Sequence, residues 1–325
     1  MAKRIYLWDN LKVILMMMVV MTHCINVYQL ENCYWVQFLW IFIMTYSMPL
    51  FMMISGFWHK PRTKRYCVNH YLYPCVLFSV VNVVWGGYCG LYTDGKVPLK
   101  FGFAMWYIWA LFLYNMITPY LLARVGLKKL MVYSLIVSFV CGFWFLPNSC
   151  LDAQRVVHFY PFYVIGIYLR TKDKYIYGEA RNAHKHWLSI FVVTTLIYII
   201  MCMWKPGFCY GTGFMASHGM SLYGFVQMWG NFVLTLLQSM SVIMLMPNRP
   251  LFFTKYGSRT MNVYMLHMCI IFPLCWYLMR PIMNEWYGYA LYIIGVPCLC
   301  MFLFSKPVDS FMQCLLSISE KMNKK

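Results

Sequence analysis

Apolar residues occur along the chain in ten runs, each long enough to form a helix that crosses a membrane. About 20 helical residues span a hydrocarbon core that is ~30 Å thick. The runs predict helices at approximately 11–29, 35–57, 70–91, 103–123, 129–147, 155–170, 187–204, 222–246, 260–280 and 285–305. Because the connections between them are short, the pattern predicts an all-α integral membrane protein with a single transmembrane domain, 1–325.

The composition agrees with this pattern. Hydrophobic residues make up 62% of the chain and charged residues only 11%, and the mean hydropathy is +0.59. Soluble proteins carry about 25% charged residues, so the composition excludes a soluble globule. The first run follows Lys3 and Arg4 but lacks a small-residue cleavage site, so we interpret it as a retained helix instead of a signal peptide.

Basic residues alternate between the two sides of the predicted bundle. Of the 27 lysines and arginines, 22 fall in the termini and connections on one side. Cytoplasmic loops of membrane proteins are enriched in these residues, so both termini are predicted to be cytoplasmic. The excess of positive charge is therefore a topology signal, and the chain has no soluble basic module that would bind nucleic acid.

Cysteine spacing gives no sign of a metal site. The chain has 14 cysteines but no pair with the C-x-x-C spacing of zinc and redox centres. Most lie in predicted helices, where a free cysteine behaves as a small apolar residue. Cys33, Cys150 and Cys209 are predicted to lie in outer loops, where a disulfide is an open alternative.

The first predicted helix carries the clearest candidate chemistry. Lys12 and His23 are 11 residues apart, which corresponds to about 16 Å and three turns, so both project from roughly the same face. An ionisable residue deep in a membrane indicates function, and a neutral imidazole can take a proton from a hydroxyl group. Lys12 could hold a phosphate group. The alternatives are a structural histidine and an interfacial lysine.

Five short motifs occur in order along the chain. They are DNLK at 9–12 with His23, MPLF at 48–51 with SGF at 55–57, WYIWAL at 106–111, Arg155 with FYPFYVIG at 159–166, and YG at 256–257 with YMLH at 264–267. Together they resemble the membrane-bound acyltransferase 3 family, and the fucose 4-O-acetyltransferase-like branch most. The resemblance covers residues 4 to about 300.

The resemblance implies roles for individual residues. It implies that His23 is catalytic, that Lys12, Arg155 and His267 bind acetyl-CoA, and that Asp9, Trp106, Tyr107 and Tyr264 bind substrate. Some alternatives stay open. Arg155 could be an interfacial anchor, His267 could orient His23 or cap a packed interface, and Trp106 with Tyr107 could belong to an aromatic belt. Ser55 is expected to serve helix packing, since it lies beside Gly56 without a nucleophile elbow.

The leading hypothesis is an O-acyltransferase, more specifically an O-acetyltransferase, of the bacterial cytoplasmic membrane. It would move an acyl group from acyl-CoA to a hydroxyl of an envelope glycan or lipid-linked sugar, without a metal. The glycine-rich stretch 205–221 is either a lid over the sugar or a plain connector. A transporter or flippase for a glycan intermediate is the alternative, and an assembly protein without catalysis is a third possibility. The sequence does not show the repeat symmetry of many transporters.

Overall fold

The computed structural model describes residues 5–28, 34–88, 104–143, 151–172, 176, 184–204, 222–273 and 286–322. Three cysteines that could pair (Cys33, Cys150 and Cys209) and the stretch 205–221 lie outside these ranges. Within the described ranges the secondary structure is helical throughout, with turns and short connections between helices. The all-α fold class is confirmed.

Eleven helical segments follow one another in the described part of the chain. They are α1 (Tyr6–Tyr28), α2 (Tyr34–Phe57), α3 (Lys64–Tyr88), α4 (Trp106–Val125), α5 (Leu127–Phe143), α6 (Ala153–Thr171), α7 (His184–Trp204), α8 (Leu222–Leu245), α9 (Thr260–Pro273), α10 (Trp286–Leu303) and α11 (Lys306–Met322). Each of the ten predicted helices overlaps one of α1 to α10, and the predicted ends at 89–91, 144–147 and 274–280 lie outside the described ranges.

Within the described ranges, only some of the helices meet the length and composition of a membrane crossing. Six helices in the described ranges are long and apolar enough to cross a membrane: α1, α2, α3, α4, α7 and α8. A seventh span results if α10 and α11, which meet at an angle of 54°, are counted as one broken span. The ten crossings predicted from the sequence are therefore not confirmed: α6 does not meet these criteria, and α5 and α9 are described only as far as Phe143 and Pro273.

The outer surface of the bundle is apolar in stripes. On α3 the exposed residues Val76, Val80 and Val84 are four positions apart, and Leu188, Val192 and Leu196 repeat this spacing on α7. Residues four apart lie on one side of a helix, so each helix turns an apolar stripe outwards. A water-soluble helix would carry polar residues there, whereas lipid favours this arrangement.

Helices α2 and α6 pack against each other closely through two glycines. A Cβ atom on Gly56 would overlap the carbonyl oxygen of Tyr163, and one on Gly166 would overlap the carbonyl oxygen of Met53. Small residues permit such close approach between membrane helices. The SGF and FYPFYVIG motifs therefore meet in space, and their glycines have a packing role.

Buried polar contacts fix the beginning of α1. Asn10 is fully buried, and its Nδ2 donates to the carbonyls of Pro247 and Arg249, each at 3.0 Å. Its Oδ1 accepts a hydrogen bond from the Thr254 hydroxyl. A Cβ atom on Gly257 would lie 2.5 Å from Cβ of Asp9, so this connection approaches α1 closely. The contacts place the DNLK motif beside the start of α9.

The helix α11 was not predicted from the sequence. Its apolar residues are concentrated on one side, with Met312 buried against the bundle. Asp309 of α11 forms an ion pair with Arg259 at 3.4 Å and accepts a hydrogen bond from Asn262 Nδ2 at 2.7 Å. These contacts join α11 to the beginning of α9.

Candidate active site

A cavity of about 400 Å³ opens between the ends of several helices. Its walls come from α1, α2, α3, α4, α9 and the connection between α2 and α3. Along α2 the wall extends from this connection back to Met48, nine residues from the helix end, which corresponds to about 14 Å of helix. The cavity therefore penetrates a substantial part of the bundle. Its volume is within the ordinary range of ligand sites.

One part of the cavity wall is basic. Lys12 of α1 and Lys60 and Arg62 of the α2–α3 connection all line it. Lys12 Nζ forms an ion pair with Asp9 Oδ1 at 2.9 Å, which holds the lysine side chain at the N-terminal turn of α1. Three positive charges around one cavity favour an anionic ligand. Lys60 and Arg62 entered the sequence interpretation only as topology signals.

His59 also lines the cavity and was not singled out from the sequence. Its Nδ1 and the Tyr163 hydroxyl are 2.8 Å apart, within hydrogen-bond distance. Burial lowers the pKa of the His59 imidazole below its ordinary value, because burial disfavours the charged form. Its Nε2 is buried and has no hydrogen-bond partner among the described residues. His59 therefore contributes an imidazole ring to the cavity wall beside its basic part.

The remaining part of the wall is aromatic. The hydroxyls of Tyr107 and Ser55 are 2.7 Å apart, and the Tyr107 and Tyr264 rings pack with centroids 5.3 Å apart. Tyr264 is 5% exposed, and its hydroxyl makes no hydrogen bond within the described structure. Ser55 faces the cavity, and its neighbour Gly56 makes the close helix contact. Trp106 is also buried, packing on Phe159 at 4.9 Å.

His23 and His267 meet between α1 and α9. Nδ1 of His23 lies 3.3 Å from Nε2 of His267, and the ring centroids are 5.0 Å apart. His267 is fully buried, whereas His23 retains some exposure. Neither histidine lines the cavity, but the His267 ring packs on the Tyr264 ring at 5.9 Å. The histidine pair therefore lies beyond the cavity, directly behind Tyr264.

Arg155 lies at the first turn of α6, outside the cavity wall. Its guanidinium forms an ion pair with Asp152 at 3.3 Å and stacks over the Trp106 ring at 5.5 Å. Arg155 therefore lies beside Trp106 and not on the cavity wall. The structure brings Lys12, Tyr107 and Tyr264 together around the cavity and leaves His23, His267, Arg155 and Trp106 outside its wall.

The described residues hold no group of three or more metal-binding side chains. What they hold is a contact between two histidines, a partly basic cavity, and tyrosines in its wall, one of which packs on His267. Such an arrangement suits proton transfer and the binding of an anionic molecule. It defines a polytopic helical membrane protein with a polar cavity inside the bundle.

Comparison with protein-family models identifies the family. The acyltransferase domain model of the acyltransferase 3 family matches residues 5–305, which is most of the chain. The protein belongs to this family and is a multi-pass membrane acyltransferase. No curated protein and no solved structure matches the chain.

Proposed function

We propose that the protein is an O-acetyltransferase of the bacterial cytoplasmic membrane. It would transfer an acetyl group from acetyl-CoA to a hydroxyl of an envelope glycan or a lipid-linked sugar. The observation that carries this proposal is the position of the His23–His267 pair behind a cavity with a basic wall. This geometry supplies a base for the hydroxyl acceptor and a site for an anionic acyl donor.

The cavity suits the donor by the charge of one part of its wall and the aromatic character of another. Coenzyme A carries several phosphate charges, for which Lys12, Lys60 and Arg62 are suitable partners. The acyl thioester is neutral, which suits the aromatic part of the wall at Phe51 and Tyr107. When bound, acetyl-CoA supplies an activated acyl carbonyl. Asp9 would act through its ion pair by keeping Lys12 oriented.

His23 would be the catalytic base. Its Nε2 takes the proton from the acceptor hydroxyl, whose oxygen forms a bond with the acyl carbon. The C–S bond then breaks, and the proton passes from His23 to the leaving sulfur. Tyr107 and Tyr264 line the cavity, and Tyr264 packs on His267, so their hydroxyls would donate hydrogen bonds to the reacting carbonyl. Trp106 and Arg155 would shape the acceptor side of the site.

The test replaces His23 and measures O-acetylation of the envelope glycan. A deletion strain is complemented with wild-type protein, His23→Ala or His23→Gln, and alkali-released acetate is quantified against membrane abundance of each variant. We expect both variants to lose about 10²–10⁴-fold in rate, since glutamine retains hydrogen bonding but is not a base. His186→Gln is the matched control, because His186 is exposed on α7, and it should remain active.

Two results would contradict the proposal. If glycan acetylation were the same with and without the wild-type gene, the protein would not catalyse the proposed reaction. Near-native acetylation by His23→Gln at normal abundance would leave an acyltransferase whose base lies elsewhere. The acetyl donor is tested separately with purified protein and radiolabelled acetyl-CoA, where transfer of label to the glycan is expected.

A further inference from the structure

The two histidines share a hydrogen-bond pattern that fixes where their protons are. His23 Nδ1 lies 2.9 Å from the carbonyl of Val19, and His267 Nδ1 lies 3.0 Å from the carbonyl of Val263. A carbonyl oxygen only accepts, so each Nδ1 must carry the donated proton. In a neutral imidazole the other nitrogen then holds a lone pair, and both Nε2 atoms are acceptors.

The contact between the rings follows from these proton positions. Nε2 of His267 faces Nδ1 of His23 at 3.3 Å, so the lone pair of His267 meets the Nδ1 proton of His23. Val19 is one turn before His23 in α1, and its carbonyl also accepts the backbone N–H of the helix. The Nδ1 proton of His23 thus has two acceptors, the Val19 carbonyl of its own helix and Nε2 of His267 on α9. The described hydrogen bonds of His23 use Nδ1 alone and leave Nε2 for the acceptor.

We propose that His267 is a positioning residue that holds the Nδ1 proton of His23 and shares the positive charge that His23 gains in the reaction. This inference rests on the proposed function, in which His23 is the base. When Nε2 of His23 takes the proton of the acceptor hydroxyl, His23 has a proton on each nitrogen. An imidazole nitrogen, unlike the carbonyl of Val19, can itself take the Nδ1 proton. The pair therefore carries one positive charge over two rings until His23 Nε2 returns its proton to the leaving sulfur.

Two variants of His267 separate this role from packing. His267→Phe keeps an aromatic ring in the fully buried position but has no lone pair, whereas His267→Gln retains an accepting oxygen. Loss of the acceptor removes one hydrogen bond and should lower kcat by about two- to tenfold, and by more if charge sharing is lost too. Because His267 does not line the cavity, the KM for the acyl donor should stay within about twofold. His267→Gln should recover part of the lost kcat.

A spectroscopic measurement tests the pair without relying on activity. The protein is labelled with ¹⁵N-histidine and studied in lipid by solid-state NMR, with signals assigned through the single His23→Gln and His267→Gln variants. We expect His23 to be protonated at Nδ1 and not at Nε2 near neutral pH, with a ¹⁵N–¹⁵N correlation to Nε2 of His267. That correlation should disappear in His267→Phe.

The outcomes distinguish this inference from the proposed function. Protonation of His23 at Nε2, or the absence of the correlation in wild-type protein, would overturn the pairing even if acetyl transfer is observed. A His267→Phe variant with unchanged kcat, or one that only raises the donor KM, would also overturn it. If the NMR signature is present while His23→Gln remains active, the hydrogen-bonded pair stands and the assignment of His23 as the base fails.

Discussion

Replacing Gly166 with alanine should separate the two helices that form the centre of the bundle. The new methyl carbon would overlap the carbonyl oxygen of Met53 and lie 2.9 Å from both Met53 C and Phe57 N. Real Cβ contacts shorter than 3.0 Å essentially never occur. All three neighbours are backbone atoms, so no side-chain rotation can relieve the overlap. Helix α2 or α6 must move.

The size of the effect can be worked from this geometry. Overpacking a tightly packed interior costs about 1–3 kcal/mol, and a contact with backbone on both sides belongs at the upper end. A loss of 1 kcal/mol lowers Tm by about 2–4 °C in proteins of 150–250 residues and by about 1.5 °C in a chain of 325 residues, so we expect Gly166→Ala to lower Tm by about 3–4 °C. The measurement is thermal unfolding of the purified protein in detergent, followed by the loss of the monodisperse fraction.

Gly230 provides the matched control. A Cβ atom added to this glycine of α8 would have no heavy atom of the described structure within 4 Å outside its own helical turn. Alanine is favoured over glycine in helices by about 1 kcal/mol, so Gly230→Ala should melt at or above the wild-type temperature. The reasoning would be refuted if Gly166→Ala and Gly230→Ala had the same Tm. That result would mean that α2 and α6 are not in contact through this glycine.

Other regions give shorter predictions. Lys12→Ala should raise the KM for the acyl donor while Lys12→Arg stays close to wild type, and an unchanged KM in the alanine variant would make Lys12 an interfacial anchor. Asn10→Ala should lower the unfolding free energy by about 1–3 kcal/mol, measured by chemical denaturation, because buried partners lose their hydrogen bonds. The pKa of His59 is lowered in the folded protein, so below pH 6.5 the unfolded state binds more protons than the folded state. Stability should therefore decrease as the pH is lowered through that range, and the decrease should be smaller in His59→Gln. Reporters fused at residues 62 and 126 and at the C-terminus should report the cytoplasm, and an external signal at any of them would contradict the topology.

The positions of the helices could be predicted from the sequence because a membrane imposes a simple requirement. Every backbone polar group in lipid must be bonded within its own helix, so a long apolar run has one stable conformation. The run predicted at 35–57, for example, overlaps α2, and both end at Phe57. The number of crossings could not be predicted equally well. Apolar runs also form helices that are buried inside a bundle, and Ala153–Thr171 carries polar residues at both ends.

The contacts that build the site could not be predicted, because they join residues far apart in the chain. His23 and His267 are separated by 244 positions, and no local pattern indicates their hydrogen bond. Spacing alone suggested that Lys12 and His23 share one face of α1, and the structure adds that only Lys12 lines the cavity. Asn10 lies inside the DNLK motif, yet its role in binding the connection after α8 depends on carbonyls about 240 residues away.

Two helices determine how the parts of the site are arranged. Helix α1 carries Lys12 at the cavity and His23 behind it, while α9 carries Tyr264 at the cavity and His267 one turn further on. The two helices pack together, so a shift of either would change both the cavity and the histidine pair. Because the Tyr264 ring lines the cavity and packs on the His267 ring, an acyl group in the cavity would have to lie beside this tyrosine to reach an acceptor hydroxyl held at His23. A substitution at Tyr264 should therefore affect both the cavity and the position of the histidine pair, because its ring lines the one and packs on the other.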